Sequence, residues 1–348
     1  MVELWYAVAA AFLAAYAVLD GFDLGAGALH LFVARDDGER RRVLGAIGPF
    51  WDGNEVFLLA AGGVLFAAFP TALGVGLSGF YLAIFLVLWA LVLRGISIEF
   101  RSHVSDPLWR AGWDFVFSAS SALLAVLFGV AFANLVRGVP LREDGWFALT
   151  LFTHFRPEQP VGILDWYTLL VGAFALLTLA AHGGAFLAWK TEGAVEERSR
   201  RAAFALFLLV AALWPIVTWA TRAVSPAAFA SFSARPLAWL GAAAAALGLC
   251  AAVVGLLRRR PLPAFLGSCA FIAGVLGATA AMTFPVLLRA VPDPVRSLTA
   301  QAAAAHPSSL RTAVGWLSLG LPLAVLYFVT LFRLHRGKFP PPREGEGY

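Results

Sequence analysis

Uncharged apolar runs about 20 residues long recur along the chain, separated by short connections that hold nearly all of the charge. An apolar run of that length covers the roughly 30 Å hydrocarbon core of a bilayer when helical. The pattern predicts nine spans, at about 5–33, 50–69, 72–93, 115–136, 165–188, 202–222, 237–257, 262–288 and 312–332. The chain is therefore read as an all-α polytopic membrane protein, with residues 1–336 forming a single transmembrane domain. The segment before the first span, "MVELW", has no basic n-region and no small-residue cleavage site, so the first span reads as a retained helix. "ARDDGERRRVLG" after the first span resembles "WKTEGAVEERSRRAAF" after the fifth. That offset predicts two pseudo-repeated four-helix units, about 5–136 and 165–288, with the ninth helix added. The Pro- and Gly-rich tail, 337–348, is expected to be disordered.

Charge adds an orientation. With nine spans, the connections on the C-terminal side carry 18 of the 26 Lys and Arg residues, including Arg40, Arg41, Arg42, Arg94, Arg101, Arg198 and Arg258 to Arg260. The positive-inside rule then puts the C-terminus in the cytoplasm and the N-terminus outside. The same distribution accounts for a pI near 9.6 without a nucleic-acid partner, because no basic patch with interleaved aromatics forms. Composition agrees with the bilayer as solvent: 60% of residues are hydrophobic, only 14% are charged, and mean hydropathy is +0.79. Trp5, Trp89, Trp109 and Trp113, near span ends, fit an aromatic belt. Cys250 and Cys269 lie inside spans with no metal or redox spacing, and read as packing residues.

Four carboxylates fall within or at the mouth of spans: Asp20, Asp23, Asp52 and Glu55. Tyr16, Asp20, Asp23, Gly27 and His30 step by four, three, four and three, so they share one helix face. At 1.5 Å per residue Asp20 lies roughly 22 Å from Arg35, near mid-membrane. A carboxylate at that depth is costly, faces protein or water, and is a functional candidate. A packing alternative stands beside it, in which Gly21 and Gly25 admit a second helix and the aspartates bond across that contact. Asp52 and Glu55 also have two readings, as proton entry or as a capping box at a helix start. Arg94, Glu99, Arg101, Arg110 and Asp114 read as headgroup and loop pairing.

The strings "DGFDLGAGALHLF", "GPFWDGNEVFLLAAGGVLFAAFP", "FYLAIFLVLWALVLRGISIEFRS", "WRAGWDFVFSASS" and "GVAFANLVRGVPL" occur in one order over residues 5–140, and "HGGAFLAWKTEG" follows. In these the chain resembles subunit II of the cytochrome bd-type quinol oxidases. The likeness thins over the last four spans, where "MTFPVLLRA" and the helix count agree. The resemblance implies a non-haem-bearing subunit, inactive alone, of a bacterial inner-membrane complex that oxidises quinol and reduces dioxygen to water. Haems b and d are then expected in partner subunit I and no cofactor in this chain. A structural quinone and a small accessory subunit are left open. Among the six histidines only His30 and His182 lie in spans, and Met282 is the sole internal methionine, so no haem ligand is assigned here. The likeness carries Asp52 over as the aspartate of the cytoplasmic proton route, with Asp20 and Asp23 as the "DGFD" pair. At position 57 related chains often have Trp near an oxygen entrance, and here Phe57 takes that place. Two other classes remain: a secondary transporter with acidic ion sites in its first two helices, and a scaffold without a relay.

Overall fold

The computed structural model describes residues 1–339. Thirteen α-helices occur in this range: α1 (Val2–Val33), α2 (Asp37–Ile47), α3 (Trp51–Ala68), α4 (Pro70–Gly79), α5 (Tyr81–Phe100), α6 (Pro107–Arg137), α7 (Trp166–Lys190), α8 (Gly193–Val224), α9 (Pro226–Ser233), α10 (Pro236–Leu257), α11 (Pro261–Thr283), α12 (Ala300–Ala303) and α13 (Pro307–Leu334). Two short strands, β1 (Val286–Leu288) and β2 (Leu298–Thr299), pair antiparallel between α11 and α12. Among the described residues eight helices are long and apolar enough to cross a membrane: α1, α5, α6, α7, α8, α10, α11 and α13. The chain is a mostly helical, multi-pass membrane protein.

Two expected spans are redrawn. The span at 72–93 is two helices, because the chain breaks at Phe80 and α5 continues to Phe100. The break is packed against the loop that follows α6: a Cβ on Gly79 would lie 2.2 Å from the ring of Phe147, and Leu149 N–H donates to Gly79 carbonyl. The span at 262–288 ends at Thr283, since Pro285 cannot continue a helix and the chain turns into β1. The span at 50–69 is α3, 18 residues with Asp52, Asn54 and Glu55 in its first turns. Of the tail expected from 337, residues 337–339 are docked, with Phe339 N–H on Lys190 carbonyl and Lys338 on Glu196. Residues 340–348 lie outside the described residues.

The core forms around α1 and α7. Their backbones touch: a Cβ on Gly25 would sit 1.8 Å from Leu179 carbonyl oxygen, and one on Gly183 would sit 2.2 Å from Ala26 nitrogen. Phe22, Phe186, Phe265 and Phe50 fill the space beside this crossing. Small residues do the same between α10 and α11, where Gly241, Gly248, Gly255, Gly267 and Gly274 each face backbone of the other helix. A second core caps one end of the bundle, where the 138–165 loop and β1 pack Val139, Phe147, Ile163 and Leu288 together.

At the opposite end α2 is held to α8. Asp36 caps α2 by accepting from Glu39 N–H, and Glu39 pairs with Arg198 at 2.5 Å. Burial alone would raise the Glu39 pKa, but Arg198 and the Arg35 N–H outweigh it and hold the carboxyl below the ordinary glutamate value. Arg198 also donates to Val33 carbonyl, closing the last turn of α1.

Candidate functional site

Asp20 and Asp23 project from the α1 face that turns away from Gly21 and Gly25. The glycines meet α7, while the aspartates meet α3 and α5, so no aspartate bond crosses the glycine contact. Asp20 is fully buried and accepts two hydrogen bonds from Arg94, at 2.7 and 2.8 Å, in a bidentate pair. Arg94 also pairs with Glu55 at 2.8 Å. Asp23 accepts from Asn54 Nδ2 at 2.7 Å through one oxygen, and its other oxygen, Oδ1, has no hydrogen-bond partner in the protein. Asn54 Nδ2 also donates to Leu19 carbonyl, which ties the start of α3 to mid-α1.

Asp52 lies exposed on the first turn of α3. The N-cap is Phe50, with no side-chain capping bond, so the capping box that was one of the two readings of Asp52 and Glu55 does not form. Glu55 faces inward instead and keeps 28% of its side chain exposed. The four sequence candidates thus form a graded series, from exposed Asp52 through half-covered Glu55 to buried Asp20 and Asp23. Phe57, next along α3, packs between Phe12 and Phe328, with ring centroids 6.0 and 5.0 Å away.

Arg94 is the residue that sequence reasoning misplaced. It was expected to pair at the headgroup level, yet it is fully buried, as is Arg101. A guanidinium is buried only with partners, and for Arg94 these are Asp20 and Glu55. The expected span ended at 93 and left Arg94 in a connection, whereas α5 carries both Arg94 and Glu99 and is capped by Arg101.

A second cluster lies nearer the α2 end. Asp114, buried on α6, accepts from Arg101 Nε at 2.6 Å and Arg40 Nη1 at 3.0 Å, and bonds His30 Nε2 at 2.7 Å. Asp37 joins it through Arg101 at 2.8 Å and Arg110 at 3.0 Å. In the connection after the predicted third span, Arg101, Arg110 and Asp114 therefore form ion pairs that bind α1, α2, α5 and α6 together, while Glu99 is exposed. A third pair, Arg137 with Asp165, joins the ends of α6 and α7, and Asp165 forms a capping box with Thr168.

Both span histidines are fully buried. His182 has both ring nitrogens engaged, Nδ1 with Ser268 at 2.6 Å and Nε2 with Val18 carbonyl at 2.8 Å. His30 holds Asp114, with the Phe117 ring edge-on at 5.2 Å. Met282 packs with Val136 and Ala228. Among the described residues no group of three or more His, Cys, Asp or Glu could hold a metal ion. Of the four tryptophans, Trp89 and Trp109 are exposed as a belt requires, but Trp5 is buried and donates to Leu310 carbonyl.

These features define a class, a multi-pass helical membrane protein with buried ion pairs that reach from one rim into the bundle. The family profile of cytochrome bd terminal oxidase subunit II matches residues 1–335, and the chain belongs to that family. It is 32% identical over 320 residues to a probable cytochrome oxidase subunit 2 of Haemophilus influenzae, covering 85% of this chain and 83% of that protein. To the cytochrome bd-I ubiquinol oxidase subunit 2 of Escherichia coli K12 it is 36% identical over 221 residues, which is 64% of this chain and 56% of that one. A chain of the bd oxidase from Geobacillus thermodenitrificans superposes with a TM-score of 0.74 over 96% of this chain and 98% of its own length. At 17% identity that likeness concerns the fold. The protein is a component of a terminal oxidase of the bacterial cytoplasmic membrane, and so has a partner subunit.

Proposed function

We propose that this chain is the haem-free subunit of a quinol:oxygen oxidoreductase, inactive alone, that supports a partner carrying haems b and d and supplies it with cytoplasmic protons. The observation that carries this reading is the graded burial of Asp52, Glu55 and Asp23 around one site. Asp52 is open to bulk water, Glu55 is partly so, and Asp23 keeps one carboxyl oxygen without a protein donor. Such groups exchange protons through intervening water, as in other membrane relays. Asp20 has a different part, because both its oxygens are committed to Arg94. It holds the guanidinium that in turn positions Glu55.

Nine crossings fit this role, with α3 as the one beyond the eight strongly apolar helices, the N-terminus outside and two four-helix units about the α1–α7 contact. The apolar surroundings of Phe57 suit oxygen access. A transporter would need a substrate site between its halves, and the α1–α7 crossing closes that space with backbone contact.

The test is Asp52→Asn in the purified complex. With no capping bond to lose, the variant is expected to assemble with full haem content. Oxygen consumption per haem should fall roughly tenfold or more, toward the ~10²-fold scale of a positioned proton-transfer group. Undiminished turnover in Asp52→Asn, Glu55→Gln and Asp23→Asn, each with intact haem, would remove the relay.

A further inference from the structure

The polar stripe of α1 continues past Asp23 toward the α2 end, where the proposed relay does not use it. There α1 and α6 run antiparallel in register. His30 meets Asp114, Ala28 carbonyl accepts from Ser118 Oγ at 3.4 Å, Gly27 meets Ser121, and Tyr16 meets Phe128. Gly27 is required by this seam, since a Cβ there would lie 2.1 Å from Ser121 Oγ and 3.1 Å from Phe117. The helix gives up a side chain to admit a hydroxyl. Between Asp23 and the α2 end of the seam three buried polar atoms have no hydrogen-bond partner in the protein: His30 Nδ1, Ser121 Oγ and Asp23 Oδ1. Their residues are at most 1% exposed.

Along α1 the level of Ser121, at Gly27, is about 4.5 Å from His30 and about 6 Å from Asp23. Each interval is of the size that one hydrogen-bonded water bridges, and a polar lining is the condition for holding a buried water. At its outer end the seam reaches the surface through Arg40, Arg110 and Asp37, whose side chains are 26%, 30% and 45% exposed. A purely structural lock explains why Arg40, Arg101, Asp37 and Asp114 pair. It does not explain a glycine that makes room for an unpaired serine, or a histidine with an unpaired nitrogen, in line with an unpaired carboxyl oxygen.

We propose that the α1–α6 seam is a second proton entrance, a file of bound water from the His30–Asp114 cluster past Ser121 to Asp23, parallel to the Asp52–Glu55 entrance. It rests on the reading of Asp23 as a proton acceptor. A proton from bulk water at the Arg40–Arg110 rim binds His30 Nδ1 while Nε2–H stays on Asp114, whose carboxylate stabilises the imidazolium formed. The Nδ1–H bond then breaks toward the water at Ser121, and the proton ends on Asp23 Oδ1. His30 returns to its neutral form, so the transfer balances without any other reactant.

The test uses the whole complex in lipid vesicles, reading proton uptake from the cytoplasmic side with a pH dye, oxygen consumption, and haem per complex. Ser121→Val places methyl groups in the file and is expected to lower uptake. Combined with Asp52→Asn it should leave far less than the product of the two single fractions, because parallel entrances add. Ser121→Ala removes the hydroxyl alone and should act in the same direction if the valine variant fails to assemble, and Ser121→Thr should restore uptake. Ser121→Val and Ser121→Ala variants that keep full uptake alone, and lower it no further when added to Asp52→Asn, would overturn the seam. If Asp52→Asn is slow in that same series, the relay survives and only the second entrance falls. If Asp23→Asn, Asp52→Asn and the double variant all keep full uptake, the relay itself fails and takes the seam with it.

Discussion

The pairing of Asp20 with Arg94 decides what each acidic residue can do. A buried ion pair gains little over an apolar substitute, but removing one partner strands the other charge at a cost of about 3–5 kcal/mol. Arg94→Gln strands Asp20, and Glu55 with it, so the yield of haem-loaded complex should drop sharply. Asp20→Asn together with Arg94→Gln leaves no stranded arginine or aspartate at the pair and should recover part of that yield. A double variant that assembles no better than Arg94→Gln would mean the pair is not the source of the loss. Asp23→Asn removes no ion-pair partner and should assemble, which separates relay from scaffold: turnover per haem falls while haem content stays.

Between elements, close approach and terminal charge do the work. The α1–α7 crossing has no space for a methyl at Gly183, whose Cβ would lie 2.2 Å from Ala26 nitrogen. Backbone cannot rotate away as a side chain can, so Gly183→Ala should cost more than the ~1–3 kcal/mol typical of overpacking. Thermal melting of the complex checks it. Gly62→Ala is the control, since nothing lies within 4 Å of that position. The α2 clamp gives a pH prediction. Glu39 titrates below the ordinary glutamate value in the fold, so its pair with Arg198 stabilises above that value and is lost as pH falls through the folded one. Glu39→Gln should therefore melt lower than the parent at neutral pH, with the gap closing on acidification. A gap that widens in acid would reverse the sign and refute the assignment.

For the whole molecule the prediction is topological. A reporter after Tyr348 should be cytoplasmic and one at the N-terminus external, which requires α3 to cross along with the eight strongly apolar helices. Reporters on one side would remove the nine-crossing arrangement. Moving Arg94 from a loop into α5 leaves the basic bias of the nine-crossing arrangement in place, because in it Arg40 to Arg42, Arg198, Arg200, Arg201 and Arg258 to Arg260 fall on one side.

Sequence by itself determined the class, the apolar helices and the shared face of Tyr16, Asp20, Asp23, Gly27 and His30, because hydropathy and helical period are local properties. The stretches quoted from residues 5–140 were sufficient to suggest the family. Only the tertiary structure decided the rest. Hydropathy reads Arg94, Arg101 and Asp114 as loop charges, since it carries no term for a partner on another helix. Burial of a guanidinium depends on Asp20, 74 residues away, as the burial of Asp114 depends on His30 at a separation of 84. The break at Phe80 depends in the same way on Phe147 from a distant loop. Asp52 and Glu55 show the converse: their spacing satisfied a local capping rule, and the nonlocal pair with Arg94 took Glu55 instead. Charge pairing and close backbone contact act across the bundle, so a linear pattern locates such groups without fixing whom they meet.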